Sequence, residues 1–173
     1  LVSGDNNATL TNAGTAYNNA NVLLANKVTV SGLSITGVTG SNGSLPSDYV
    51  LNSTSKDVSA AITPKTVTLS ATKVYDGTAT LSNAQVSIGT GISGENLTIN
   101  AATASDSHVA TPNKSIASIK LDDGTGGLAS NYQLPALNNT NAPVTITAAT
   151  LTPTISNTGV TKVYDASTSA PSG

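Results

Sequence analysis

One histidine and one glutamate, His108 and Glu95, stand in this 173-residue sequence. A Ser-His-Asp nucleophilic site would need His108 held between an acid and a hydroxyl, with Asp106 as the nearest acid. The run Ala104-Ser105-Asp106-Ser107-His108 carries no large apolar side chain to orient an imidazole, so it predicts a solvated loop. Hydrolysis by two carboxylates needs acids converging from separate elements. Most acids here lie instead among Gly, Asn and Ser, where Asp serves turns through its own backbone hydrogen bonds. Asp122 and Asp123, followed by Gly124-Thr125-Gly126-Gly127, are the calcium candidates, because hard oxygen ligands on a glycine-rich loop suit that ion. They lack the spacing of a helix-loop-helix calcium site, and the earlier part of the chain has Thr36-Gly37-Val38-Thr39-Gly40 in the corresponding place. A Lys–Asn or Lys–Asp isopeptide cross-link would need a buried acid nearby, for which only Glu95 or a core Asp is on offer. The sequence assigns no catalytic residue and no cofactor, calcium aside.

Tyrosine followed by aspartate is the pairing that recurs, in Tyr75-Asp76-Gly77 and Tyr164-Asp165. The physical reading is structural: the ring packs on a thin core, while its hydroxyl and the Asp carboxylate fix a turn. Tyr49 and Tyr132 are read in the same way.

Composition sets what must hold these residues. Cys, Met, Trp and Phe are absent, and Tyr, at five copies, is the only aromatic residue. Ser and Thr exceed a quarter of the chain, which favours strands and turns over helices. The formal charge of -2 is too small to keep a chain expanded, so a folded domain with a thin core is expected. Seven lysines and no arginine give no basic surface for nucleic acid. No run of about 18 apolar residues exists to insert into a membrane as a helix. Absent cysteine removes disulfides and thiolate chemistry.

Internal similarity is the strongest signal. Lys73-Val74-Tyr75-Asp76-Gly77-Thr78 returns as Lys162-Val163-Tyr164-Asp165-Ala166-Ser167, and Ala61-Ile62-Thr63 returns as Thr145-Ile146-Thr147. Ser47-Asp48-Tyr49-Val50-Leu51 matches Ser130-Asn131-Tyr132-Gln133-Leu134; Asn26-Lys27 matches Asn113-Lys114, and Gly4-Asp5 matches Gly94-Glu95. Ordered anchors with loop-sized differences in offset predict tandem units of about 85 residues. Residues 1–64 then form the later part of one unit, 65–149 a complete unit, and 150–173 the opening of a third.

Apolar residues alternate with polar ones at Val28 and Val30, Leu33 and Ile35, Val67 and Leu69, Leu97 and Ile99, and Val144 and Ile146. Gly32 breaks the phase as a bulge does. Asn42-Gly43 suits a type I′ hairpin turn, and Leu151 with Ile155 suggests an edge strand around Pro153. The predicted fold is all-β: tandem β-sandwich-like repeats, stiffened into a rod by the short junctions at Thr63-Pro64-Lys65 and Thr147-Ala148-Ala149.

On these residues the sequence resembles the YDG-type repeats of large secreted bacterial adhesins, the filamentous-haemagglutinin-like exoproteins. The motif is Lys73-Val74-Tyr75-Asp76-Gly77-Thr78, and the later pattern stands as Ala16-Tyr17, Asn26 to Leu33, Asp48-Tyr49-Val50-Leu51 and Ala61-Ile62-Thr63-Pro64. Ala104 falls where a counterpart of Tyr17 belongs, and Ala166 replaces the motif glycine in the last copy. The resemblance implies a non-catalytic stalk or filament-forming segment of a protein on the bacterial cell surface. Its partners would be neighbouring repeats, a head-to-tail copy of itself, or surface glycans. The alternative expectation is a carbohydrate-binding module, against which the absence of Trp counts. Residues 150–173 would supply the opening strand that 1–64 lacks, so strand addition between chains is a further expectation.

Overall fold

A computed structural model describes residues 1–154, 159 and 161–169. The described residues are all-β, with no α-helix and with the strands gathered in five small sheets.

Within 65–149 two three-stranded sheets enclose one core. The first has β7 (Thr68–Val74) at its centre, with β13 (Val144–Thr147) parallel on one side and β9 (Val86–Gly89) antiparallel on the other. The second has β10 (Leu97–Ala104) between β11 (Ile116–Asp123) and β8 (Thr80–Leu81), all antiparallel. A short parallel pair, β6 (Lys65–Thr66) with β12 (Tyr132–Gln133), closes one end.

The period of two decides which side chains fill the interior. From β7 these are Leu69, Ala71 and Lys73, with Val67 just before the strand, while Val144 and Ile146 come from β13. Strand β10 buries Leu97 and Ile99, then Ala102 and Ala104. Its phase slips by one at an irregularity in the ladder between Ile99 and Ala101, which moves the following residues onto the opposite parity. Ile116, Tyr132 and Ala142 complete the same cluster.

Residues 1–64 build a thinner structure. Strand β1 (Asp5–Thr11) pairs with β4 (Ser34–Gly40), and β3 (Lys27–Ser31) lies between β2 (Gly14–Tyr17) and β5 (Ser55–Ser59), all antiparallel. Gly32, at φ +64°, sits in the break between β3 and β4, where the side chain of Ala13 leaves no room for a Cβ. Only Asp5 and Ala25 are buried in these 64 residues, while Leu10, Leu45, Val50 and Val58 are exposed. Among the described residues no second layer covers this part, and the two-layer arrangement is that of 65–149.

Three expectations change. Asn42-Gly43 does not make a type I′ hairpin turn: Gly43 has positive φ but Asn42 does not, and a type I′ turn needs both. Asn42 uses its side chain instead, donating from Nδ2 to the Ser3 carbonyl at 2.7 Å, which ties the end of β4 to the start of the chain. The Tyr75 ring does not pack on the core. It follows the last residue of β7, where the strand gives way to the turn, and it is exposed and stacks on His108, ring centroids 6.3 Å apart. Leu151–Thr154 form no strand: they pair with no strand among the described residues, and Pro153 has no N–H to offer a ladder. Ile155 lies outside the described residues.

Candidate functional site

The best-organised constellation of polar groups is the turn that follows β7. Inward phase on that strand runs Val67, Leu69, Ala71, Lys73, so the lysine stem is carried into the core and its side chain is 0% exposed. An ammonium in that position must be fully hydrogen-bonded. Its Nζ donates to Asp76 Oδ1 at 2.8 Å, to the Thr80 carbonyl at 2.9 Å and to the Thr78 carbonyl at 3.0 Å. Asp76 Oδ1 also accepts from the Thr78 N–H and hydroxyl, both at 2.9 Å. The lysine ammonium, then these two Thr78 donors, lower the Asp76 carboxyl from 3.8 to about 2. Gly77, at φ +83°, makes the bend, and the Tyr75 N–H bonds the Thr147 carbonyl at 2.8 Å, which ties the turn to β13. The group is a structural clasp with its cation fully used.

The same clasp forms at the other motif. Lys162 Nζ donates to Asp165 Oδ1 at 2.8 Å and to the carbonyls of Ser167 and Ser169 at 2.8 and 2.7 Å. Asp165 Oδ1 accepts from the Ser167 N–H at 3.0 Å, and its carboxyl is lowered chiefly by the Lys162 ammonium. Ala166 takes the place of Gly77 at φ +58°, so the bend survives without glycine. A left-handed alanine costs roughly 1–2 kcal/mol relative to an ordinary conformation. Tyr164 is exposed rather than packed on a core.

Tyr49 and Tyr132 occupy matching settings. Each follows a short 3₁₀ turn, Pro46–Asp48 and Ala129–Asn131 respectively. The Tyr132 hydroxyl donates to Glu95 Oε2 at 2.6 Å, and the Tyr49 hydroxyl donates to Asp5 Oδ2 at 2.5 Å. Glu95 and Asp5 are the two acids that the sequence repeat pairs with each other. In both cases the acceptor carboxylate raises the phenol above its ordinary 10.0. Tyr132 is buried in the core cluster, and Tyr49 is half-buried, with no second layer of described residues over it.

Residues 1–64 and 65–149 meet at one polar joint. Asn131 accepts from the Val22 N–H at 2.9 Å through Oδ1 and donates to Asn21 Oδ1 at 2.9 Å through Nδ2. Beside the joint lies a cavity of about 200 Å³ lined by Val22, Ile62, Lys65, Glu95 and Tyr132 among others.

The other sequence candidates are placed as follows. His108 is exposed, and Asp106 accepts from the His108 backbone N–H at 2.6 Å and from the Thr111 hydroxyl at 2.9 Å. Asp106 therefore shapes its loop and does not orient the imidazole. Asp122 and Asp123 are consecutive on β11, so their side chains leave opposite faces of the strand. Asp123 Oδ1 is taken by the Ala129 N–H at 2.7 Å, and Asp122 Oδ1 by the Asp123 N–H at 3.2 Å. Among the described residues no three His, Cys, Asp or Glu side chains converge on a point that a metal ion could occupy.

Two participants went unassigned from the sequence. Lys73 was legible in the alternation Val67, Leu69, Ala71, Lys73, which places it on the buried parity. Asn131 carried no signal, because its partners Asn21 and Val22 lie 110 and 109 positions away.

No curated protein and no solved structure matches the chain. Residues 58–142, just under half of it, match the family model described as the YDG domain. The clasp of Lys73 and Asp76, the Tyr132–Glu95 pair and the two-sheet core all lie within those limits except for the last strand, and this part of the chain is a YDG domain.

Proposed function

We propose that the chain is a non-catalytic structural and adhesive segment of a bacterial extracellular surface protein, in which YDG units repeat in tandem and stack into a stalk. The observation that carries this reading is the recurrence of whole constellations. Tyr49–Asp5 repeats as Tyr132–Glu95, and the Lys73–Asp76 clasp repeats as Lys162–Asp165. A stacked array, whose stability sums over its units, has a copy of such a pair in each of them. The Asn131 joint supports stacking, because two hydrogen bonds from one side chain to Asn21 and Val22 fix rotation as well as distance.

Solution scattering on the chain and on an Asn131→Ala variant tests the joint. The parent is expected to fit one fixed arrangement of the two parts, and the variant to need an ensemble. Equal flexibility in both would contradict the stalk reading.

A second reading has its own observation. Tyr75 and His108 present two stacked, solvent-facing rings on the outside of the YDG domain, an arrangement on which a sugar ring can lie. In that case the segment is the carbohydrate-binding module of an adhesin. A glycan array on the parent and on Tyr75→Ala separates the two: binding lost with the ring supports the module, and no binding supports the stalk.

A further inference from the structure

We propose that two copies of this chain associate through strand β11 of the YDG domain, pairing antiparallel about a two-fold axis that passes between Leu121 and its counterpart. The contact is separate from the Asn131 joint and does not depend on whether units repeat along the chain.

Strand β11 is an edge. It is the outermost strand of its sheet and pairs only with β10. Its first residue is capped, because the Ile116 N–H bonds the Ala142 carbonyl at 2.9 Å. From Ala117 to Asp123, no strand or loop other than β10 bonds the backbone among the described residues. A free row of N–H and C=O groups on a strand of eight residues is a template for another strand.

Lysine is a common guard on such edges, since two copies meeting lysine to lysine repel. Here the lysine has a complement. Lys120 is exposed near the middle of the strand, and Asp122, two positions on and therefore on the same face, is exposed as well. Neither takes part in an ion pair among the described residues, and Asp122 accepts only the Asp123 N–H, at 3.2 Å. An antiparallel copy reverses the order of residues, so Lys120 faces the copy's Asp122 and Asp122 faces the copy's Lys120. One symmetry operation thus makes two directly opposed pairs of opposite charge, the arrangement that stabilises neighbouring strands.

The two faces of the strand fix this register. Ile119 and Leu121 lie on the other face, half-buried against the core. With Leu121 beside its own counterpart, the core-facing sides of both strands stay on one side of the joined sheet. A register one residue along brings Lys120 opposite Asp123, but it sets the polar face of one strand beside the apolar face of the other. Asp123 is also engaged, its Oδ1 held by the Ala129 N–H at 2.7 Å. The paired edges join two three-stranded sheets into one, and a contact that uses the same surface on both partners closes at the dimer. Strand β4, in the corresponding place within 1–64, carries no charged side chain, so the complementarity belongs to the YDG domain.

The test uses the full 173-residue chain. Sedimentation equilibrium is expected to show an association that stops at the dimer and weakens as salt is raised. Lys120→Asp and Asp122→Lys each turn both pairs into like charges, and each is expected to weaken the dimer about tenfold or more. A chain carrying both substitutions restores the pairs with their signs exchanged, and is expected to dimerise as the parent does. Mixing the two single variants is expected to give their heterodimer in excess of either homodimer. Both positions are exposed, so thermal melting of each variant is expected to match the parent, which separates a lost contact from a lost fold. A parent that stays monomeric at every concentration overturns the proposal and leaves Lys120 as a guard of the edge. So does a dimer indifferent to salt, single variants that associate like the parent, a double variant that stays monomeric, or a statistical mixture of the two single variants.

Discussion

Lys73→Met tests the clasp most sharply, because methionine keeps the apolar stem while deleting the ammonium. The Thr78 and Thr80 carbonyls lose donors at 3.0 and 2.9 Å. Hydrogen bonds from a charged donor contribute about 1.5–3 kcal/mol each, so the two together represent about 3–6 kcal/mol. Against this stands the cost of holding an ammonium out of water, several kcal/mol, which the variant no longer bears. Thr78 and Thr80 are exposed residues, so their carbonyls regain part of their hydration. The balance is a loss of about 2–4 kcal/mol. For a domain of this size that lowers the melting temperature by roughly 10–25 °C. Urea unfolding followed by circular dichroism reads the change, with Lys162→Met as the control, since that lysine is partly solvated and anchors no core. The control is expected to move by no more than about 0.5 kcal/mol. A Lys73→Met chain as stable as the parent would refute the clasp as the anchor of the domain. Equal effects at both lysines would refute its dependence on burial.

The other predictions concern titration. Asp76 titrates at about 2 in the folded chain against 3.8 ordinarily, so its contribution is complete above 3.8 and is lost as pH falls through about 2. Acid unfolding of the YDG domain is expected to steepen in that window, and Asp76→Asn to flatten it; an unchanged acid limb in the variant would be contrary. Tyr132 ionises above 10.0, so its contribution is present below that value and is lost as pH rises through the higher folded value. Phenolate absorbance is expected to show one late tyrosine moving earlier in Glu95→Gln, where no negative charge faces the hydroxyl. A titration curve identical to that of the parent would exclude the Tyr132–Glu95 bond.

The parts of the fold that follow from alternation were legible in the residues themselves. Val67, Leu69, Val144 and Ile146 face the core as their period of two requires, and Gly32 marks the break it suggested. Legibility ended where a side chain answers to something far away in sequence. Tyr75 continues the inward alternation of β7, yet the strand ends at Val74, so the turn carries the ring out to stack on His108 and Lys73 is the last side chain of that phase inside. Asn42-Gly43 has the composition of a hairpin turn, but the pull of the Ser3 carbonyl on the Asn42 amide decides its geometry. At the candidate sites, the acids matched by the repeat, Asp5 and Glu95, were visible as a pair. Their tyrosine partners were visible as another pair, and only the fold joined the two. Asp122 and Asp123 are neighbours on β11, so their side chains point apart, a divergence that their adjacency in the sequence does not display.

The central claim is that this sequence builds a stalk by adding units of one kind end to end. The most direct measurement is small-angle scattering on a series of chains in which residues 65–149 are joined in one, two, three and four copies. The account predicts a maximum dimension that grows by the same increment with every copy. A dimension that levels off as copies are added, as for units that collapse onto one another, would contradict it.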